Sequence, residues 1–190
     1  SPFFVLLIIL LFLLALFVAV EELIFLKCCS ELVFPSVDDA SLFFLGVVIR
    51  FSFDELLSLT TLEEGTKFFS GFANVINAMR NCSKLIIGRI HGKAVGGGVG
   101  LAAACDYSFA TLKSEIKLSE IAIGIGPFVI EPAVTRKIGK TAMSEITLNP
   151  TAWKTSNWAH EKGLYSELFE TIEELDLRLE EYTKKLSAYN

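Results

Sequence analysis

Four glycines fall within five positions, Gly96, Gly97, Gly98 and Gly100, between an apolar run, KLIIGRIHGKAV, and a stretch of small residues, LAAACD. Glycine inside regular structure costs about 0.5–1 kcal/mol relative to alanine, so so dense a cluster requires a backbone conformation or a close approach that a side chain would forbid. An apolar run, then glycines, then small residues reads as a strand, a turn and a short helix. The first N–H groups of a helix have no acceptor within it, and the helix dipole is positive at that end. Three uses fit: a closely packed turn, a phosphate cradle, or a donor site for charge developing on a carbonyl oxygen.

The phosphate reading is the weakest of the three. Gly98, Gly100 and Ala103 follow a G-x-G-x-x-A spacing, with Glu120 twenty residues after Gly100. The chain nevertheless reaches Asp106-Tyr107 too soon for the long crossover helix of a dinucleotide fold. No G-K-S/T follows the glycines, so a Walker loop is absent as well.

The 190 residues suffice for one domain with a substantial core, and a net charge of −5 without a basic run argues against nucleic acid as the partner. Cys28, Cys29, Cys82 and Cys105 form no C-x-x-C pair, and the two histidines are His91 and His160. This pattern reads as reduced thiols in a cytoplasmic protein, with no metal site. Residues 3–20 are 18 consecutive apolar residues with no preceding Lys or Arg, and the first cation is Lys27. Three readings stay open for them: a membrane anchor, a buried segment, or sequence foreign to the domain behind it. Composition therefore divides the chain into an apolar segment over 1–50 and a globular domain over 51–190.

Within the domain, short strands and helices alternate, which is α/β order. Ser52 with Glu55 and Thr61 with Glu64 are capping boxes; the second opens a helix with Phe68, Phe72, Val75, Ile76 and Met79 on one face. The strand KLIIGRIHGKAV is expected to break near His91-Gly92, and YSFAT to form a strand after the short helix. EIKLSEIAIGIGPF reads as a strand followed by turns at Gly124, Gly126 and Pro127. VTRKIGKTAMSEITL reads as two helices around Gly139, TAWKTSNWAHEKG as a helix closed by Gly163, and LYSELF as a strand. A capping box at Thr171 and Glu174 opens a last helix with a stripe of Ile172, Leu175, Leu179, Tyr182 and Leu186. That stripe is a packing face, internal or against a partner subunit.

The string IIGRIHGKAVGGGVGLAAACDYSFAT, followed by IKLSEIAIGIGP, resembles the crotonase family, the enoyl-CoA hydratase/isomerase superfamily. The resemblance covers about residues 52–190; RKIGKTAMSEITL and WAHEKGLYSEL add weaker matches. It implies a crotonase-like spiral of ββα units with a helical C-terminal region, shorter at that end than the family. The implied activity is hydration/dehydration or double-bond isomerisation of an enoyl-CoA thioester through an enolate.

In such a site the Gly97 N–H is one oxyanion donor, and the other belongs to the loop Phe51-Ser52-Phe53, where Arg50 and Phe51 replace the family's small residues. Gly96, Gly98, Gly100 and Pro127 would line the substrate. Glu120 matches the family's proton-transfer glutamate. Gly100 stands where a hydratase holds its other glutamate, and Glu131 is the candidate to replace it. Lys93 and Arg136 are cations within reach of CoA phosphates on this reading, whereas His91 and Asp106 read as structural. The resemblance implies no metal and no cofactor beyond the coenzyme A carried by the substrate, and assembly as a homo-trimer or hexamer. Two alternatives stand beside the enzyme: a catalytically silent binding or assembly protein on the same fold, and a membrane-anchored protein using residues 3–20.

Overall fold

In the computed structural model, residues 60–189 are described in full, together with the backbone of two strands before them. Those strands are β1 (Leu23–Cys29) and β2 (Leu42–Val48). A helix α1 (Leu62–Arg80) follows, then β3 (Ile86–His91), β4 (Ala94–Val95), α2 (Gly97–Ala104), β5 (Tyr107–Thr111) and β6 (Ile116–Lys117). A 3-10 turn (Glu120–Ile123), α3 (Glu131–Thr147), α4 (Ser156–Glu161), β7 (Glu167–Phe169) and α5 (Ile172–Ser187) complete the order.

The larger sheet has the order β2-β1-β3-β5-β7. The β1 strand pairs antiparallel with β2 and with β3, aligning Leu23 with His91 and Cys28 with Ile86. β3, β5 and β7 run parallel, with Ile87 opposite Tyr107 and Phe109 opposite Glu167. The sheet thus crosses the change in composition near residue 50, through LIFLKCC and LFFLGVV, apolar text of high strand propensity. The capping box at Ser52 lies outside the described residues.

The helices form where their caps place them. Thr61 accepts the Glu64 N–H while Glu64 reaches back to the Thr61 N–H, and Thr171 and Glu174 do the same for α5. α1 buries Phe72, Val75, Ile76 and Met79, with Phe68 only half-buried. α2 is buried from Val99 to Ala104, so it runs through the core with no polar face. α3 is kinked at Gly139, whose φ of 77° is a left-handed conformation.

Two stretches differ from the sequence expectation. In EIKLSEIAI only Ile116–Lys117 is strand, because its partner β4 is two residues long and ends at the Gly96 turn; the chain beyond Ser119 coils into the 3-10 turn. In TAWKTSNWAHEKG the helix starts only at Ser156, because Lys154 exchanges two 2.9 Å backbone hydrogen bonds with Ile116 and is held extended.

The last helix is tied across the sheet by its apolar stripe and by charge. Leu175 and Leu179 pack with Ile87 and Phe109, while Tyr182 stacks on Tyr107 with ring centroids 4.9 Å apart. Arg178 grips Glu167 through two 3.0 Å hydrogen bonds, and Glu167 also accepts the Tyr107 hydroxyl. Burial and Glu167 together push the Tyr107 pKa up to about 12. The stripe is therefore an internal packing face. Leu179 is 1% exposed. Leu179→Ala is expected to cost about 2–5 kcal/mol in a urea denaturation curve, by lost burial and the cavity left between α5 and the sheet.

Candidate functional site

The candidate site is built on the smaller of the two sheets among the described residues. β4 and β6 pair in parallel over two residues, Ala94 with Ile116 and Val95 with Lys117. The Gly96 N–H continues that ladder, donating to the Lys117 carbonyl at 2.9 Å. Gly96 then takes φ 53°, ψ −113° and turns the chain directly into α2. On the other strand the ladder ends at Lys117, and two residues later Ser119 caps the 3-10 turn that Glu120 opens. The two turns meet: a Cβ at position 96 would lie 3.0 Å from Glu120 Oε1 and 3.8 Å from Oε2. Gly96 is required twice over, by its left-handed φ and by the carboxylate that lies against it.

At this turn, the Val99 and Gly100 N–H groups go to the Gly96 carbonyl at 3.0 and 3.2 Å. Gly97 and Gly98, the first two residues of α2, present theirs from the helix end, where the dipole is positive. This places a donor pair one and two residues from the glycine that touches Glu120. The glutamate itself is desolvated. Burial raises its carboxyl above the ordinary 4.5, against a smaller lowering by the backbone N–H groups of Glu120 and Ser119. Its Oε2 is buried without a protein hydrogen-bond partner among the described residues. A buried, under-satisfied carboxylate beside a helix N-terminus can accept a proton from a substrate carbon while the backbone holds charge on oxygen.

The other candidates are placed as follows. The Pro127 carbonyl accepts the N–H groups of Ile130 and Glu131 at 3.2 and 2.9 Å, which launches α3 from the Glu120 loop. Glu131 is the first residue of α3, and its Oε1 accepts the Thr135 hydroxyl at 2.7 Å along its own helix. A Cβ on Gly98 would meet Ala94 at 3.5 Å, an ordinary contact. One on Gly100 would lie 2.4 Å from Ile130 Cγ2 and 3.2 Å from Ile76 Cδ1. Phe51, Ser52 and Phe53 lie outside the described residues.

Lys93 pairs with Glu115 at 2.7 Å and sits over the Trp153 ring at 4.4 Å. Arg136 donates to the Ala103 carbonyl and Lys137 to the Asp106 carbonyl, so α3 neutralises the negative end of α2. Asp106 accepts the Ile86 N–H at 2.8 Å, a strand-end role. Cys105 is a buried thiol whose pKa burial pushes up to about 12, while Cys82 is exposed. Among the described residues no group of three or more His, Cys, Asp or Glu could hold a metal ion, and no helix is long and apolar enough to cross a membrane. Ile130 and Ile76 are the site-shaping residues that sequence reasoning missed. Their only signal is a glycine at position 100 facing residues distant in sequence.

The enoyl-CoA hydratase/isomerase family matches residues 53–187. The chain belongs to that family, the crotonase superfamily, and its fold is the crotonase α/β fold. It is 29% identical over 117 residues to enoyl-CoA hydratase AKT6-1 of Alternaria alternata, covering 59% of this chain and 39% of that one. It is 30% identical over 105 residues to the peroxisomal Delta(3,5)-Delta(2,4)-dienoyl-CoA isomerase of Arabidopsis thaliana, covering 53% and 36%. The chain thus spans well under two thirds of these curated relatives. Among solved structures, an enoyl-CoA hydratase from Mycobacterium smegmatis superposes with a TM-score of 0.68 at 24% identity, over 73% of this chain and 53% of that one. An enoyl-CoA hydratase/isomerase described as putative, from Legionella pneumophila, gives 0.63 at 27%, over 74% and 52%.

The raised Glu120 pKa carries a stability consequence. A carboxyl whose folded pKa lies above its unfolded value is stabilising while protonated and costs stability once pH rises through the folded value. Glu120→Gln removes that cost. The variant is expected to melt above the wild type at pH 7, and the gap to close as pH falls toward 4.5, the ordinary carboxyl value. Thermal melts across that pH range check it.

Proposed function

We propose that this chain processes an enoyl-CoA thioester, by hydration/dehydration or double-bond isomerisation, through an enolate held by the Gly97 N–H. The observation that carries the reading is the Glu120 carboxylate lying against Gly96 at the start of α2. In this reading the thioester carbonyl enters the N-terminus of α2, where charge developing on its oxygen meets donors already oriented. Glu120 is the proton carrier. Its desolvation favours uptake of a proton from carbon, and the small residues at 96–98 let the substrate approach the backbone. Coenzyme A is the substrate's handle, and no separate cofactor or metal takes part. Membership of the family and the names of its relatives support acyl-CoA as the substrate class. We extend the reading to assembly as a homo-trimer or hexamer, which light scattering on the purified protein tests.

A second reading is an acyl-CoA-binding protein without turnover, favoured by the glycine at position 100, where the resemblance leads one to expect a second acid. Turnover of short enoyl-CoA thioesters separates the two. The enzyme reading expects measurable conversion and a loss of about 10²–10⁴-fold in kcat for Glu120→Gln. Full activity in that variant would exclude Glu120 as the proton carrier, and thioester binding without conversion would establish the silent protein.

A further inference from the structure

The register that seats Glu120 against Gly96 begins at a side chain. In the β4–β6 ladder the Ala94 N–H donates to the Glu115 carbonyl at 2.8 Å, and the Gly96 N–H to the Lys117 carbonyl at 2.9 Å. Two residues on one strand match two on the other, so the preceding rung would run from the Gly92 N–H to the Lys113 carbonyl. That carbonyl is engaged within the turn after β5, where it accepts the Glu115 N–H at 2.9 Å. The Gly92 N–H donates instead to the Ser114 hydroxyl at 3.3 Å. Ser114 is 0% exposed. Its hydroxyl donates to the Ile90 carbonyl at 3.2 Å and lies 3.1 Å from the Thr111 hydroxyl. A hydroxyl offers one donor and two acceptor sites, and these three partners take them all. Gly92, at φ 106°, turns the chain out of β3, and Thr111 is the last residue of β5. The hydroxyl therefore stands where both chains leave the larger sheet for the smaller one.

Backbone rungs are alike in every register, so they do not choose one. A slip of one residue is opposed by burial, since it would turn Ala94 and Ile116, both 0% exposed, to the outer face. A slip of two residues keeps the alternation and the backbone bonding, yet it would move Glu120 by about 6–7 Å relative to Gly96. Only a rung that one position alone can make tells these two registers apart. The Lys93–Glu115 pair also spans the strands, but its ammonium is half-exposed, and such a pair contributes little. We infer that Ser114 is a positioning residue of this site: its buried hydroxyl supplies the first rung of the β4–β6 ladder and so sets the register that lays Glu120 against Gly96. Ser114 lies six residues before Glu120 and acts through the ladder, not on the substrate. The effect on turnover rests on the reading proposed above, in which Glu120 carries the proton; the placement of Glu120 does not.

The test compares the full wild-type chain with Ser114→Ala and Ser108→Ala. Ser108 is equally buried, but its hydroxyl donates to the Leu164 carbonyl at 2.9 Å, away from the ladder. Both variants leave a buried partner unpaired, and both are expected to melt below the wild type. The placement of Glu120 is read without activity, by NMR titration of carboxyl-labelled glutamate, its signal being the one missing in Glu120→Gln. Burial holds the wild-type carboxyl above 4.5. In Ser114→Ala its midpoint is expected to move toward 4.5, and in Ser108→Ala to stay. With a short enoyl-CoA thioester, Ser114→Ala is expected to lose about 10–100-fold in kcat with KM little changed, while Ser108→Ala keeps its kcat. An unmoved Glu120 midpoint in Ser114→Ala, or the same shift in both variants, would overturn the positioning role. A wild type without turnover would overturn the enolate reading and leave the titration to decide the role of Ser114. A shifted midpoint with full kcat in Ser114→Ala would establish the register role and exclude Glu120 as the proton carrier. If Ser114→Ala does not fold, Ser114→Cys, which keeps a weaker donor and acceptor at that place, is read by the same titration.

Discussion

The close approach of Glu120 to Gly96 is the constraint on which the site depends. It requires a residue without a side chain, at a left-handed φ, at the end of one strand, and a tight turn at the end of its neighbour. The two-residue β4–β6 ladder is too short to contribute much stability of its own. Its value is register. With Val95 opposite Lys117 and the Gly96 N–H on the Lys117 carbonyl, only Leu118 and Ser119 separate the ladder from Glu120. A slip of one residue would turn the alternating side chains to the opposite face and carry the carboxylate away from the helix end.

That ladder is held in place by α2, which is anchored at its far end. Its buried residues are small and apolar, and Cys105 is wholly enclosed behind them. Arg136 and Lys137 donate to the Ala103 and Asp106 carbonyls at and just beyond its C-terminal end, and the Asp106 carboxylate accepts the N–H of Ile86 at the start of β3. The N-terminal donors therefore stand on a helix that cannot tilt without breaking these contacts. Preorganisation of this kind lets backbone N–H groups stabilise developing charge without the cost of reorienting them.

Much of the frame was legible in the sequence because its causes are local. The capping boxes at Thr61 and Thr171, the break at Gly92, the kink at Gly139 and the stripe on α5 are each specified within a few residues. The glycine block was legible as a turn into a helix N-terminus for the same reason. The extent of β6 was not legible, because apolar alternation in EIKLSEIAI says nothing about the length of a partner strand. The start of α4 was missed likewise, since the bridge from Lys154 to Ile116 joins residues 38 positions apart.

By itself, the sequence determined which backbone conformations the chain could adopt around residues 96–100, the family it belongs to, and the glutamate that accompanies the turn. These follow from residue type and near-neighbour spacing. Only the tertiary structure decided that Glu120 is desolvated against Gly96, and that the space beside Gly100 is filled by Ile130 and Ile76. The physical reason is that desolvation and exclusion are properties of what surrounds a residue. For Gly100 those surroundings come from α1 and the start of α3, 24 residues before it and 30 after, and meet it only when the core closes.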